Sequence, residues 1–139
     1  MDSIWNRVNQ NIDEILSKYR HIAVVGMSRK SFKPSHYVAM HLKHAGYRIY
    51  PVNPAYDSIL DMPCYPSLKD VPHPIEIVDI FRRSEDVLPV VEEAIAVGAK
   101  VIWMQSGIVN EKAAQLALEA GLDVVMDRCM KSEHMSRMF

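Results

Sequence analysis

The run His21-Ile22-Ala23-Val24-Val25-Gly26-Met27-Ser28 leads into a loop carrying three cations, Arg29, Lys30 and Lys33, ahead of Pro34 and Ser35. A continuous apolar run that ends in Gly and a small polar residue reads as a buried parallel strand meeting a helix. At such a junction glycine lets the backbone approach a ligand, and the next helix offers its free N–H groups to phosphate. Fixed dipoles and mobile cations therefore converge on one spot, the loop from Gly26 through Met27 to Ser35. The chemistry this implies is capture of a polyphosphorylated nucleotide. Gly26 alone also fits a plain tight turn, but the adjacent basic loop puts ligand approach first.

The nucleotide is narrowed by what is missing. An NAD site usually has G-x-G-x-x-G after the first strand and an acid closing the second, for the ribose 2′-hydroxyl. Here Gly26 stands alone, with Ser28 and Ser31 at the later positions, and the second strand closes on Asn53-Pro54 without Asp or Glu. A nearby cation can still serve NADP, so NAD is weakened more than NADP. A P-loop, G-x-x-x-x-G-K followed by Ser or Thr, does not occur. Coenzyme A, with a pyrophosphate and a separate ribose 3′-phosphate, fits a site of small and basic groups that has no anionic ribose hook.

These residues need a scaffold that brings strand ends together. Ile4, Val8, Ile12, Ile15, Leu16 and Tyr19 recur at helical spacing with Ser3 as N-cap, so the chain is expected to open with an amphipathic helix. Strands are expected over 22–27, 47–52, 75–81, 100–104 and 123–126. Between them lie a helix capped by Ser35 and ended by Gly46, one from Leu88 to Gly98, and one from Asn110 to Gly121. The start near Leu88 follows from Pro89, which is tolerated in a first turn but not deep inside a helix. A short helical turn is expected within 65–70.

Five strands alternating with helices predict an α/β fold, a Rossmann-like doubly wound parallel sheet of order 3-2-1-4-5 with an extra N-terminal helix. That order opens a crevice between strands one and four. Asn53, Pro54, Phe81, Arg82, Gln105 and Gly107 all follow strands and should line it, with Gln105 expected as a ligand contact. Of Arg82 and Arg83, one is expected to face the crevice and the other solvent. Trp103 reads as core.

At 139 residues the chain is read as one domain, 1–139. A net charge of −1 argues against general nucleic-acid binding, so the basic loop is a local feature. No apolar run approaches a membrane span, and two cysteines, Cys64 and Cys129, make no disulfide framework, so a reducing cytoplasm is expected. His41 and His44 sit at i, i+3 without a third ligand, which reads as a polar helix face rather than a metal site. The methionines of the tail, Met130, Met135 and Met138, read as packing or fraying.

Several segments together resemble a known family, the small stand-alone CoA-binding domain proteins, which are similar to the CoA-binding domain of the succinyl-CoA synthetase alpha subunit. The segments are Ile22 to Ser28, Pro34-Ser35, Gly46 to Pro54, Asp79 to Arg83, Trp103-Met104-Gln105 and Val125 to Cys129. The resemblance runs in order from about His21 to Glu133 and implies a Rossmann-like fold that binds CoA. It implies Gly26, Ser28, Lys33 and Ser35 around the phosphates, Asn53, Pro54, Phe81 and Arg82 around the nucleotide, and Gln105 near the pantetheine. Asp61 stands where the family often has glycine.

Catalytic signals are sparse: there is no G-x-S-x-G elbow, and Cys129 with His134 lacks a placed orienting acid. The leading reading is a non-catalytic module for CoA or an acyl-CoA. The alternatives are a small NADP-dependent or CoA-thioester-processing enzyme using the same pocket, and a regulatory partner using only the fold's surface. Cys129 follows the last strand where the CoA thiol arm should run, and it is a candidate for mixed-disulfide exchange if not simply buried.

Overall fold

The computed structural model describes residues 3–137. A 3-10 turn (Ile4–Asn6) precedes α1 (Ile12–Lys18), β1 (His21–Val25), α2 (Pro34–His44) and β2 (Arg48–Val52). A short hairpin, β3 (Ser58–Ile59) with β4 (Met62–Pro63), and a 3-10 turn (Leu68–Asp70) lead to β5 (Ile77–Ile80). The chain then runs through a 3-10 turn (Ser84–Asp86), α3 (Val87–Ala96), β6 (Val101–Met104), α4 (Glu111–Glu119), β7 (Asp123–Val125) and α5 (Met130–Met135).

Five of the strands form one parallel sheet in the order β2-β1-β5-β6-β7. Alternate residues of each strand serve opposite faces. Ala23, Val25, Val78 and Ile80 pack against α3 and α4, whereas Ile22, Val24, Ile77 and Trp103 pack against α1, α2 and α5. The sheet is thus doubly wound and Rossmann-like, as expected. Among the described residues no helix is long and apolar enough to cross a membrane.

The strand order differs from the expected 3-2-1-4-5. Counting only the five long strands, the third pairs with the first, giving 2-1-3-4-5, and Ile22 is flanked by Ile49 on one side and Ile77 on the other. Pro51 supplies the physical reason. Its carbonyl faces outward and accepts from the Tyr65 N–H at 2.9 Å, so its donor-less nitrogen lies on that same outer side of β2. A proline in that position suits an edge strand and would break a ladder with a further strand. The 53–65 segment covers this edge instead, with Asn53 N–H donating to the Tyr65 carbonyl at 2.9 Å. The point where the chain reverses therefore lies between β1 and β5, not between the first and fourth long strands.

The expected continuous N-terminal helix is also interrupted. Asn9 takes φ +60° and donates its N–H to the Val124 carbonyl at 2.9 Å. Its side chain brackets Met126, accepting from the N–H at 2.7 Å and donating to the carbonyl at 3.2 Å. Tertiary bonds to the outer side of β7 override the local helical period. Asn9→Ala should cost about 2 kcal/mol, since it orphans two main-chain groups and places Cβ-bearing alanine in a left-handed backbone. Equilibrium urea unfolding checks this; a change below about 0.5 kcal/mol would mean the bracket is solvated.

Two smaller differences concern helix ends. Lys33, not Ser35, is the N-cap of α2, because Pro34 takes the first helical position, where its missing N–H is no loss. The tail forms α5, with Met130 fully buried and Met135 exposed, while Met138 lies outside the described residues. Asn110 caps α4 as expected, its side chain accepting from Ala113 N–H at 2.9 Å. The hairpin turn departs from a glycine-based one: Leu60, rather than Asp61, adopts the left-handed conformation at φ +54°.

Candidate functional site

β1 and β5 end side by side, so Gly26 and Phe81 meet at the point of reversal. Phe81 N–H donates to the Val25 carbonyl and Gly26 N–H to the Val52 carbonyl, at 2.9 and 2.8 Å. Gly26 has φ +89°, and a Cβ there would lie 2.4 Å from the Phe81 carbonyl oxygen. The close approach that makes this residue glycine is therefore one between two strand ends.

The loop after Gly26 is built as a rigid rim. Ser35 Oγ accepts from Ser28 N–H at 3.0 Å, and Ser28 Oγ accepts from Lys30 N–H at 3.0 Å. His36 Nδ1 donates to the Ser28 carbonyl at 2.8 Å, which fixes that ring's tautomer. Met27 is fully buried, so its side chain belongs to the core, and its carbonyl accepts from Asn53 Nδ2 at 3.0 Å. Asn53 Oδ1 also accepts from Ala55 N–H at 3.0 Å, so Asn53 ties the rim to the end of β2.

The three loop cations divide. Arg29 Nε donates to the Ser58 carbonyl at 2.9 Å, and its guanidinium lies 4.7 Å from the Tyr56 ring centroid, clasping the rim to the small hairpin. Lys30 and Lys33 are exposed and have no carboxylate partner among the described residues. Behind the rim, a cavity of about 240 Å³ is walled by Val25, Val52, Pro54, Leu68 and Pro89, with Arg82 and Glu93 as polar margins. Glu93 is held in place by accepting the Leu68 N–H at 2.6 Å. The two arginines part, Arg82 lining this cavity and Arg83 pairing with Asp86 at 3.0 Å in solvent.

Phe81 is half-buried against the α1/α2/α5 layer. Gln105 and Gly107 lie at the end of β6, on the other side of the reversal point from Pro54. Gln105 is only 3% exposed and both ends of its amide are engaged. Its Nε2 donates to Asp79 Oδ1 at 2.5 Å, and its Oε1 accepts from Met130 N–H at 3.3 Å. Gly107 N–H donates to Asp127 Oδ1 at 2.6 Å. Cys129, half-buried, is the N-cap of α5, and Trp103 is core, its Nε1–H donating to the Arg128 carbonyl at 2.8 Å.

Asp79 is the residue whose importance the sequence reading missed. It is wholly buried on β5, its Oδ2 has no hydrogen-bond partner among the described residues, and burial pushes its carboxyl up to about 7 despite the Gln105 bond. The signal was available: an acid within Ile77-Val78-Asp79-Ile80 is anomalous in a strand buried on both faces. Among the described residues no group of three or more His, Cys, Asp or Glu is placed to hold a metal ion.

Relatives share this architecture. A family model described as a CoA binding domain matches residues 20–135. The uncharacterized protein YneT of Bacillus subtilis (strain 168) is 44% identical over 129 residues, covering 93% of this chain and 96% of that one. The ADP-forming acetate–CoA ligase II of Archaeoglobus fulgidus is 36% identical over 95 residues, a match covering 66% of this chain and 14% of the ligase. A solved structure of a hypothetical protein from Pyrococcus horikoshii OT3 superposes with a TM-score of 0.90 at 43% identity, covering 93% of this chain and 91% of that chain. With its matched region spanning the whole sheet and both helical layers, the chain belongs to the CoA binding domain family.

Proposed function

We propose that this protein binds coenzyme A, or an acyl-CoA, across the carboxyl ends of β1, β2 and β5, as a binding module without a reaction of its own. The observation that carries this reading is the pair of cations, Lys30 and Lys33, that have no carboxylate partner among the described residues, on the rigid rim that leaves β1 at the point of reversal. Cations left without carboxylates beside a helix entrance suit a ligand that brings several phosphate charges. The base would occupy the cavity between Pro54 and Arg82, whose volume of about 240 Å³ and apolar walls suit a flat heterocycle. The pantetheine arm would run toward Gln105 and Gly107. Gln105 is already spoken for by Asp79 and Met130, so the role proposed for it is to shape that path.

Calorimetric titration with CoA, dephospho-CoA and NAD tests the reading. CoA is expected to bind most tightly, and dephospho-CoA less tightly because it lacks the 3′-phosphate. Lys33→Ala should weaken CoA by about 1.5 kcal/mol, roughly tenfold, as loss of one charge-assisted bond. NAD binding more tightly than CoA would overturn the reading. Unchanged affinity of Lys33→Ala at low salt would move the phosphate contact to Lys30 or Arg82.

A further inference from the structure

We propose that His41 and His134 form a proton-operated latch between α2 and α5, closed while the pair shares one ring proton and released when both rings are protonated. His41 Nε2 and His134 Nδ1 face each other at 2.9 Å, with ring centroids 5.0 Å apart and planes at 71°. A bond between two imidazoles needs one nitrogen to donate and the other to accept. When both rings are charged, two donors and two positive charges oppose each other across that gap, and no acceptor remains. His134 is buried, with the Tyr47 ring edge-on at 5.7 Å, and it borders a cavity it shares with Leu16, Arg20 and Tyr47.

Among the described residues no carboxylate forms an ion pair with either ring. On α2, His44 adds to the positive side, and Lys43 is occupied by Asp61 at 3.4 Å. On α5, Lys131 opposes a second proton, while Glu133 is shared between Arg137 at 3.3 Å and Arg128 at 3.8 Å. From the α1 side, Asp13 is taken by Arg137, and Glu14 lines the same cavity as His134, together with Arg20 and Arg137. Arg20 itself lies over Tyr47, 5.0 Å from its ring centroid. Burial first, then His134, Lys131 and His44, hold the His41 imidazole below its ordinary value. Folded His41 therefore binds fewer protons than it does in the unfolded chain, and the docking of α5 weakens as pH falls through and below about 6.5.

The latch joins the two helices that border the site. α2 starts at the rim, where Ser35 holds Ser28, and α5 starts where Met130 N–H meets Gln105. The inference does not depend on which ligand the site takes. Hydrogen exchange of residues 130–136, corrected for intrinsic rates, tests it between about pH 7.5 and about pH 5.5. The wild type is expected to lose roughly tenfold in protection over that interval. His41→Gln keeps a hydrogen-bonding partner but limits the pair to one charge, so its protection should be the same at both pH values. Equal protection of the wild type at both pH values, or the same loss in His41→Gln, would overturn the latch. Should that variant fail to fold, NMR titration of the wild-type rings decides. His41 titrating below the free imidazole range together with the opening of α5 supports the latch, and α5 opening at a different pH from any His41 transition refutes it.

Discussion

Gly26→Ala should lose about 4 kcal/mol of stability or more. Two independent costs combine. The backbone at φ +89° disfavours every L side chain, and the added Cβ would sit 2.4 Å from the Phe81 carbonyl oxygen. A main-chain atom cannot move aside as the end of a flexible side chain can, so β1 and β5 would have to part where Phe81 N–H meets the Val25 carbonyl. Guanidinium unfolding of the purified variant measures the loss. A cost below about 1 kcal/mol would mean that the two strand ends are not in contact.

Asp79→Asn should reverse sign with pH. The folded carboxyl, pushed up to about 7, binds more protons than the unfolded one, whose ordinary value is near 3.8. Native stability therefore falls as pH rises through that window, by about 4 kcal/mol in all, taking 1.36 kcal/mol per unit as an upper bound. Asparagine carries no charge and keeps an oxygen for Gln105, but its amide N–H groups inherit the unpartnered position of Oδ2. The variant is thus expected to be about 1 kcal/mol less stable than wild type near pH 4 and about 2–3 kcal/mol more stable near pH 8. Urea unfolding at the two pH values reads the crossing. Parallel curves would show that Asp79 reaches water or a partner in solution.

Much of this architecture was readable before any coordinates. The apolar runs Ile22 to Val25 and Val101 to Met104 announce strands covered on both faces, and Pro89 and Asn110 locate the starts of α3 and α4 to within a residue or two. The break after Val8 and the setting of Gln105 turn on partners distant in sequence. Val8 and Ile12 fit one helical stripe, yet Asn9 between them is claimed by Met126 across the sheet. Gln105 follows a strand as a ligand contact would, but its direction depends on Asp79, 26 residues earlier. α5 offers too little period to recognise, burying only Met130 and His134. The strand order is different in kind, because Pro51 marked β2 as an edge in the sequence itself.

That edge proline has a counterpart at the far margin of the sheet. Tyr65 occupies the outer side of β2 at Pro51 and Asn53, and Asn9 occupies the outer side of β7. An open strand edge is a template for another chain, and cross-β growth begins on such edges. Here the carboxyl-terminal part of each edge is occupied by the chain itself, through Tyr65 on β2 and Asn9 on β7. Main-chain extension of the sheet, whether orderly or amyloid-like, has to displace one of these two covers first. Asn9→Ala, which strips side-chain bonds from one of them, should therefore raise the aggregation rate under mildly denaturing conditions more than an equally destabilising change in the core.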